Sequence, residues 1–136
     1  MVKKQNKPRI VIVDDVAAVR HDLRVLLEIA GLEVVAEAAD GREAIEKAAL
    51  LNPDVVVSDL AMPVLDGYAA AAAIRAGMPR CRLVALSVHS DDSGRSKARA
   101  AGFDAFVVKG APLLELLGAI SPQVDETDRK SHRDGR

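Results

Sequence analysis

Val55-Val56-Val57-Ser58-Asp59-Leu60-Ala61-Met62-Pro63-Val64-Leu65-Asp66-Gly67 is the stretch that decides the fold. A β-branched run ends in the carboxylate of Asp59, and a loop carrying Pro63 and Gly67 follows. A short continuous apolar run bounded by turn residues reads as a strand buried on both faces, as in a parallel sheet. Three further runs end in the same way. Ile10-Val11-Ile12-Val13 meets Asp14-Asp15, Leu83-Val84-Ala85-Leu86 meets Ser87, and Ala105-Phe106-Val107-Val108 meets Lys109. In an open α/β sheet, ligands bind outside the carboxyl ends of the strands, where strand order reverses. Asp14, Asp15, Asp59, Ser87 and Lys109 are therefore expected to converge on one site.

Helical patterns separate these strands. Val19, Leu23, Leu26, Leu27 and Ala30 recur at helical spacing and predict a buried stripe, which Gly31 closes. Val34-Val35-Ala36 is a short second strand. Asp40 followed by Glu43 reads as a variant capping box opening a helix with Ala44, Ile45, Ala48 and Leu51, and Asn52-Pro53 ends it. Asp66-Gly67 shapes the turn into an Ala-rich helix over about 68–75. Residues 91–101 carry the weakest helical pattern, with Gly94 inside and almost no large apolar residue. Pro112 suits the first turn of a final helix that buries Leu113, Leu114, Leu116, Leu117 and Ile120. Strands alternating with helices imply right-handed crossovers and a doubly wound α/β sheet covered on both faces.

Composition narrows the class. At 136 residues with one run of elements, the chain reads as a basic leader over 1–8, one domain over 9–120 and a tail or linker over 121–136 that is half charged. A net charge of −1 argues against direct nucleic-acid binding by this chain. The single cysteine, Cys81, excludes an internal disulfide, fits a reducing compartment and is expected to be a small buried hydrophobe. No apolar stretch approaches the roughly 20 residues of a membrane span, so a cytoplasmic location away from the membrane is expected. Neither a G-x-x-x-x-G-K-[ST] loop nor a G-x-G-x-x-G after the first strand is present, which disfavours P-loop and dinucleotide chemistry.

Clustered carboxylates at strand ends repel one another and raise at least one pKa unless a cation offsets them. Mg²⁺ suits such a set, since it takes one or two carboxylates together with water and substrate phosphate. It would also screen a phosphoryl group approaching a carboxylate nucleophile. Lys109 is a point charge fitted to a phosphate oxygen, and Ser87 is a hydroxyl donor for another. As a strand-end lysine, Lys109 is expected to add little to stability.

In these residues the chain resembles a response regulator receiver domain of the CheY-like superfamily. The resemblance covers 9–120. It rests on Asp14-Asp15, on Asp59 with the Met62-Pro63 and Asp66-Gly67 loop, on Ser87, and on Lys109 after Phe106-Val107-Val108. It implies a (βα)5 five-stranded parallel sheet of order 2-1-3-4-5, flavodoxin/CheY-like. It also implies that Asp59 accepts a phosphoryl group from a sensor histidine kinase or a histidine phosphotransfer protein. By the same resemblance Asp15 and Asp59 bind Mg²⁺ directly with the backbone carbonyl of Ala61, while Asp14 acts through water. Ser87 is the switch hydroxyl and Phe106 the switch aromatic. Such a domain catalyses only its own phosphorylation and dephosphorylation.

Two features depart from the common pattern. Gly110 follows the lysine where many receivers have a cis-bonded proline. Lys109-Gly110-Ala111-Pro112 is closer to receivers that carry LuxR-type output domains. Ala61 and His89 occupy the flanking positions that tune phosphoryl lifetime in the family. Output is expected on the face from Asp91 to Ile120, through a homodimer or a downstream protein. Two alternatives stay open: a receiver-like interaction module independent of phosphate, and an N-terminal fragment of a DNA-binding response regulator.

Overall fold

A computed structural model describes residues 7–88 and 91–122. Most of the expected leader, His89 and nearly all of the charged tail lie outside the described residues. The elements are β1 (Arg9–Val13), α1 (Ala17–Ile29), β2 (Glu33–Ala38), α2 (Gly41–Leu51) and β3 (Val55–Asp59). They continue with α3 (Gly67–Gly77), β4 (Arg82–Ser87), α4 (Asp92–Ala101), β5 (Ala105–Val108) and α5 (Leu113–Ile120). The strands pair in parallel in the order β2-β1-β3-β4-β5, the doubly wound sheet that the sequence predicts. No described helix is long and apolar enough to cross a membrane.

Alternation along each strand feeds two cores. Ile10, Ile12, Val55, Val57, Val84, Leu86 and Val107 face α1 and α5 through Leu27, Leu116 and Ile120. Val11, Val13, Val56, Leu83 and Ala85 face α2, α3 and α4 through Ala44, Ala48, Ala71, Ile74 and Ala98. Ile12 and Val57 are fully buried, so truncating Ile12 to Ala would cost about 2–5 kcal/mol. Small helix residues on the second face let the helices lie close to the sheet, which is how a chain nearly without aromatics fills its interior.

Local signals hold the ends. The Asp40 carboxylate accepts the Glu43 N–H at 2.9 Å while the Glu43 carboxylate accepts the Ala39 N–H at 2.9 Å, a capping box shifted back by one residue. Asn52 ends α2 in the left-handed region at φ 50°. The weakly patterned α4 is closed at both ends. Asp91 accepts the Gly94 N–H at 2.8 Å, and Gly102 provides a left-handed stop at φ 115°.

The structure corrects three expectations. In α1 the stripe toward the sheet is Arg20, Leu23, Arg24 and Leu27, whereas Val19, Leu26 and Ala30 are exposed. Leu27 is fully buried with Leu23 packed on the same core, and on that side Arg20 and Arg24 each pair with Glu37 of β2 at 3.1 Å. In α5 only Leu116 and Ile120 are fully buried, and Leu114 is 80% exposed. Leu117 is half-buried against the same core, while Leu113 and Leu114 lie on the outer side of the helix. Pro112 is the residue before α5 rather than part of its first turn, a place where a missing N–H costs nothing. Cys81 is buried as expected, directly ahead of β4, and burial pushes its thiol up to about 11.

Candidate functional site

Register decides what meets at the carboxyl edge. Val13 of β1 lies opposite Ser58 of β3, so the next residues, Asp14 and Asp59, emerge level with each other. Asp59 pairs with Leu86, and Ser87 pairs with Val108, which puts Lys109 one step beyond that rung. The Lys109 N–H is held by the Ser87 carbonyl at 2.7 Å.

Asp14 is 2% exposed and fully used. Its Oδ1 accepts the Val16 N–H at 2.9 Å, and its Oδ2 accepts from Lys109 Nζ at 3.0 Å. The same Nζ lies 3.2 Å from Asp59 Oδ2, so one ammonium bridges two buried carboxylates. This pairing gives Lys109 a larger structural share than a strand-end lysine is expected to have, because its partners sit out of water. Asp15 is exposed, and oxygens of Asp14, Asp15 and Asp59 all lie within 4.8 Å of one another.

Electrostatics follow from this crowding. Burial pushes the Asp59 carboxyl up; the Lys109 charge pulls it back, and the Asp14 charge raises it further. For Lys109, burial acts downward, but the hydrogen bond to Asp14 and the charges of Asp59 and Asp14 outweigh it and hold the ammonium above its ordinary value. One cation against three carboxylates leaves a formal deficit of positive charge, and hard oxygen donors this close suit a small divalent cation. The residues present fit Mg²⁺.

The loop after Asp59 is tied down on both sides. Its Ala61 N–H approaches Asp59 Oδ1 at 3.4 Å, the Gly41 N–H holds the Leu65 carbonyl at 3.0 Å, and Asp66 caps α3 through the Ala69 N–H at 2.9 Å. Gly67 has to be glycine, because a Cβ there would run into the Asp59 carbonyl oxygen. Val64 sits at φ 70°, a strained conformation for a β-branched residue, with 73% of its surface exposed. The peptide bond after Lys109 is trans, and Gly110 takes φ 89°.

Asp14, Asp15, Asp59 and Lys109 therefore come together, with Ala61 beside them and Ser87 at the end of the adjoining strand. Phe106 does not reach the carboxylates. It lies within β5 opposite Ala85, half-buried, with the Arg95 guanidinium 4.7 Å from its ring centroid. Sequence reasoning missed Arg95, as it missed Arg20, Arg24 and Glu37. Its only local trace is a cation one turn after the cap residue Asp91.

A concavity of about 1110 Å³ opens at the opposite end of the sheet, beside Arg75 and Asp104. None of the strand-end carboxylates borders it, and Arg75 and Asp104 already pair at 2.6 Å. Chemistry rather than size marks the site.

Comparison with known proteins agrees with this geometry. The family model described as "Response regulator receiver domain" matches residues 10–121. The transcriptional regulatory protein PdtaR of Mycobacterium tuberculosis is 40% identical over 112 residues, covering 82% of this chain and 54% of PdtaR. The chain thus spans about half the length of that relative. The chemotaxis protein CheY of Thermotoga maritima is 38% identical over 116 residues, covering 83% of this chain and 97% of that protein. A two-component response regulator of the LuxR family from Aurantimonas sp. SI85-9A1 superposes with a TM-score of 0.82 at 36% identity, covering 86% of this chain and 84% of the other. With the sheet order and the strand-end carboxylates already in view, these matches lead to one assignment: the chain belongs to the response regulator receiver domain family of two-component signal transduction.

Proposed function

We propose that Asp59 is the phosphoryl acceptor of this receiver and that the donor is the phosphohistidine of a sensor kinase or phosphotransfer protein. The observation that carries the reading is the single ammonium of Lys109 shared between buried Asp14 and Asp59, with exposed Asp15 completing the carboxylate set. An Asp59 carboxylate oxygen attacks phosphorus, the P–N bond to the donor imidazole breaks, and the electron pair stays on that nitrogen. Asp15, Asp59 and the carbonyl of Ala61 would hold Mg²⁺ directly, with Asp14 behind a water. The bound cation supplies charge screening for the incoming phosphoryl group. Lys109 leaves its carboxylate partner for a phosphoryl oxygen, where a charge-assisted hydrogen bond is strongest. Ser87 donates to another oxygen. Water later cleaves the acyl phosphate, so the only reactions catalysed are on the chain's own carboxylate.

Phosphorylation adds about −1.5 to −2 charge and draws Ser87 inward, and Phe106 follows into the space beside β4. The readout falls on the face from Asp91 to Ile120, through a second copy or a downstream protein. Likeness to PdtaR and to a LuxR-family regulator supports transcriptional control as the output. A kinase partner and one buried cysteine support a cytoplasmic location. Incubation with acetyl phosphate and Mg²⁺ should add one phosphoryl group, mapped by mass to Asp59. Label retained in Asp59→Asn, or full labelling in EDTA, would refute the assignment.

A further inference from the structure

Asp15, the exposed member of the carboxylate set, has no side-chain partner among the described residues, so its aim depends on its backbone. That backbone is pinned from both sides. After Asp15, the Val16 N–H is held by Asp14 Oδ1 at 2.9 Å. Before it, the Asp14 carbonyl, in the peptide plane that leads into Asp15, accepts Arg20 Nη1 at 2.8 Å. Arg20 is itself fixed. Its Nε pairs with Glu37 Oε1 at 3.1 Å, and Glu37 Oε2 pairs with Arg24 Nη1 at 3.1 Å. The Glu37 main chain is gripped in turn by Lys47 Nζ, which donates to its carbonyl at 2.6 Å. The Arg20 and Glu37 side chains are only 17% and 22% exposed. Burial pushes the Glu37 carboxyl up, but Arg24 and then Arg20 outweigh it and hold it below its usual range. No residue of this chain of contacts, apart from Asp14, belongs to the carboxylate site. Helix α1 has Val16 as its N-cap residue with no side-chain cap of its own, so Arg20 reaching back to the Asp14 carbonyl joins the Asp14–Val16 hydrogen bond in tying the first turn to the residues before it.

We infer that Arg20 is a positioning residue for the divalent cation: clamped by Glu37, it fixes the Asp14–Asp15 peptide and so holds Asp15 in place to ligate. The inference rests on the metal-site reading above. A planar guanidinium suits the task, since one fork donates to a carbonyl and a carboxylate at once. Groups that orient metal ligands from behind commonly change affinity by about 10–100-fold when removed.

The sign of the effect separates this role from plain electrostatics. Arg20 is a cation near a cation site. If it acted only through space, Arg20→Met would relieve repulsion and tighten Mg²⁺ binding; positioning requires the opposite.

Mg²⁺ is titrated into the full chain without any phosphodonor, following the Asp15 and Val16 amides by NMR, with thermal melting as the check on folding. Arg20→Met should weaken binding by about tenfold or more while melting cooperatively. Glu37→Ala leaves the Arg20 charge in place and removes its anchor, so it should weaken binding in the same direction. The double variant should be no weaker than Arg20→Met alone. Unchanged or tighter binding in Arg20→Met overturns the inference, as do additive losses in the double variant. Should Arg20→Met fail to fold, wild-type affinity in Glu37→Ala overturns it equally. Wild-type protein that binds no Mg²⁺ at these amides would remove the metal site itself, an outcome distinct from loss of the Arg20 role alone.

Discussion

Replacing Asp59 by Asn should make the metal-free protein more stable, although it removes the proposed acceptor. Asp59 is 8% exposed and stands among Lys109 at 3.2 Å and two carboxylates within 4.8 Å. At an effective dielectric constant of about 20, the lysine attracts it by about 5 kcal/mol and each carboxylate repels it by at least about 3.5 kcal/mol. Repulsion exceeds attraction by about 2 kcal/mol. Screening at exposed Asp15 trims that figure and the burial of Asp59 adds to it, so Asp59→Asn should gain about 1–2 kcal/mol at pH 7. That gain corresponds to a rise of about 3 °C or more in Tm. The upward shift of the Asp59 carboxyl agrees in sign. A carboxyl whose folded pKa lies above its unfolded value costs stability when ionised. The cost is full above the folded pKa, shrinks as pH falls through it, and vanishes below the ordinary value of about 3.9. Paired urea melts of wild type and variant from pH 4 to 8, without divalent cation, read this difference directly. Mg²⁺ at about 100 times its Kd should add about 2.7 kcal/mol to wild type and reverse the order. A metal-free variant less stable than wild type at pH 7, or a difference that does not change with pH, would refute the reasoning.

Lys109→Met leaves buried Asp14 and Asp59 facing each other and should cost about 2 kcal/mol at pH 7, less than a fully buried pair because Lys109 is 26% exposed. Because its folded pKa is raised, the stability Lys109 contributes is present below the ordinary lysine value and fades as pH climbs through the raised one; denaturant melts showing no loss at pH 7 would contradict this. Val64→Asn should stabilise by about 1 kcal/mol, since Asn tolerates the left-handed backbone and Val64 buries little; an unchanged urea midpoint would count against strain at that residue. Arg95→Ala should cost about 0.5–1 kcal/mol and speed hydrogen exchange at Phe106, and exchange like wild type would show that the cation over the ring holds nothing.

Strand and helix order was legible in the sequence because each element carries its own period and its own punctuation. Val55-Val56-Val57 reads as a strand buried on both faces, and Asp40, Asn52 and Gly31 mark helix ends by backbone chemistry that needs no distant partner. The site was legible for the same reason, since a polar residue at the end of each parallel strand must arrive at one edge of the sheet. The caps on α4 were also written locally, in Asp91 and Gly102, and the missing apolar stripe masked them.

What the tertiary structure decided are the contacts between residues far apart in the chain. Lys109 meets Asp14 across 95 positions, and only the β1–β3 register and the placing of β5 bring them to 3.0 Å. The facing of α1 shows only in the fold: Leu23 and Leu27 pack on the sheet beside Arg20 and Arg24, which reach Glu37 of β2, while Val19, Leu26 and Ala30 stay exposed. Phe106 was legible as an aromatic in a strand, but its Arg95 partner comes from a helix whose rotation packing sets. Periodicity reports which residues avoid water. Which charges meet depends on register and helix rotation, and those are settled only when the sheet closes against its helices.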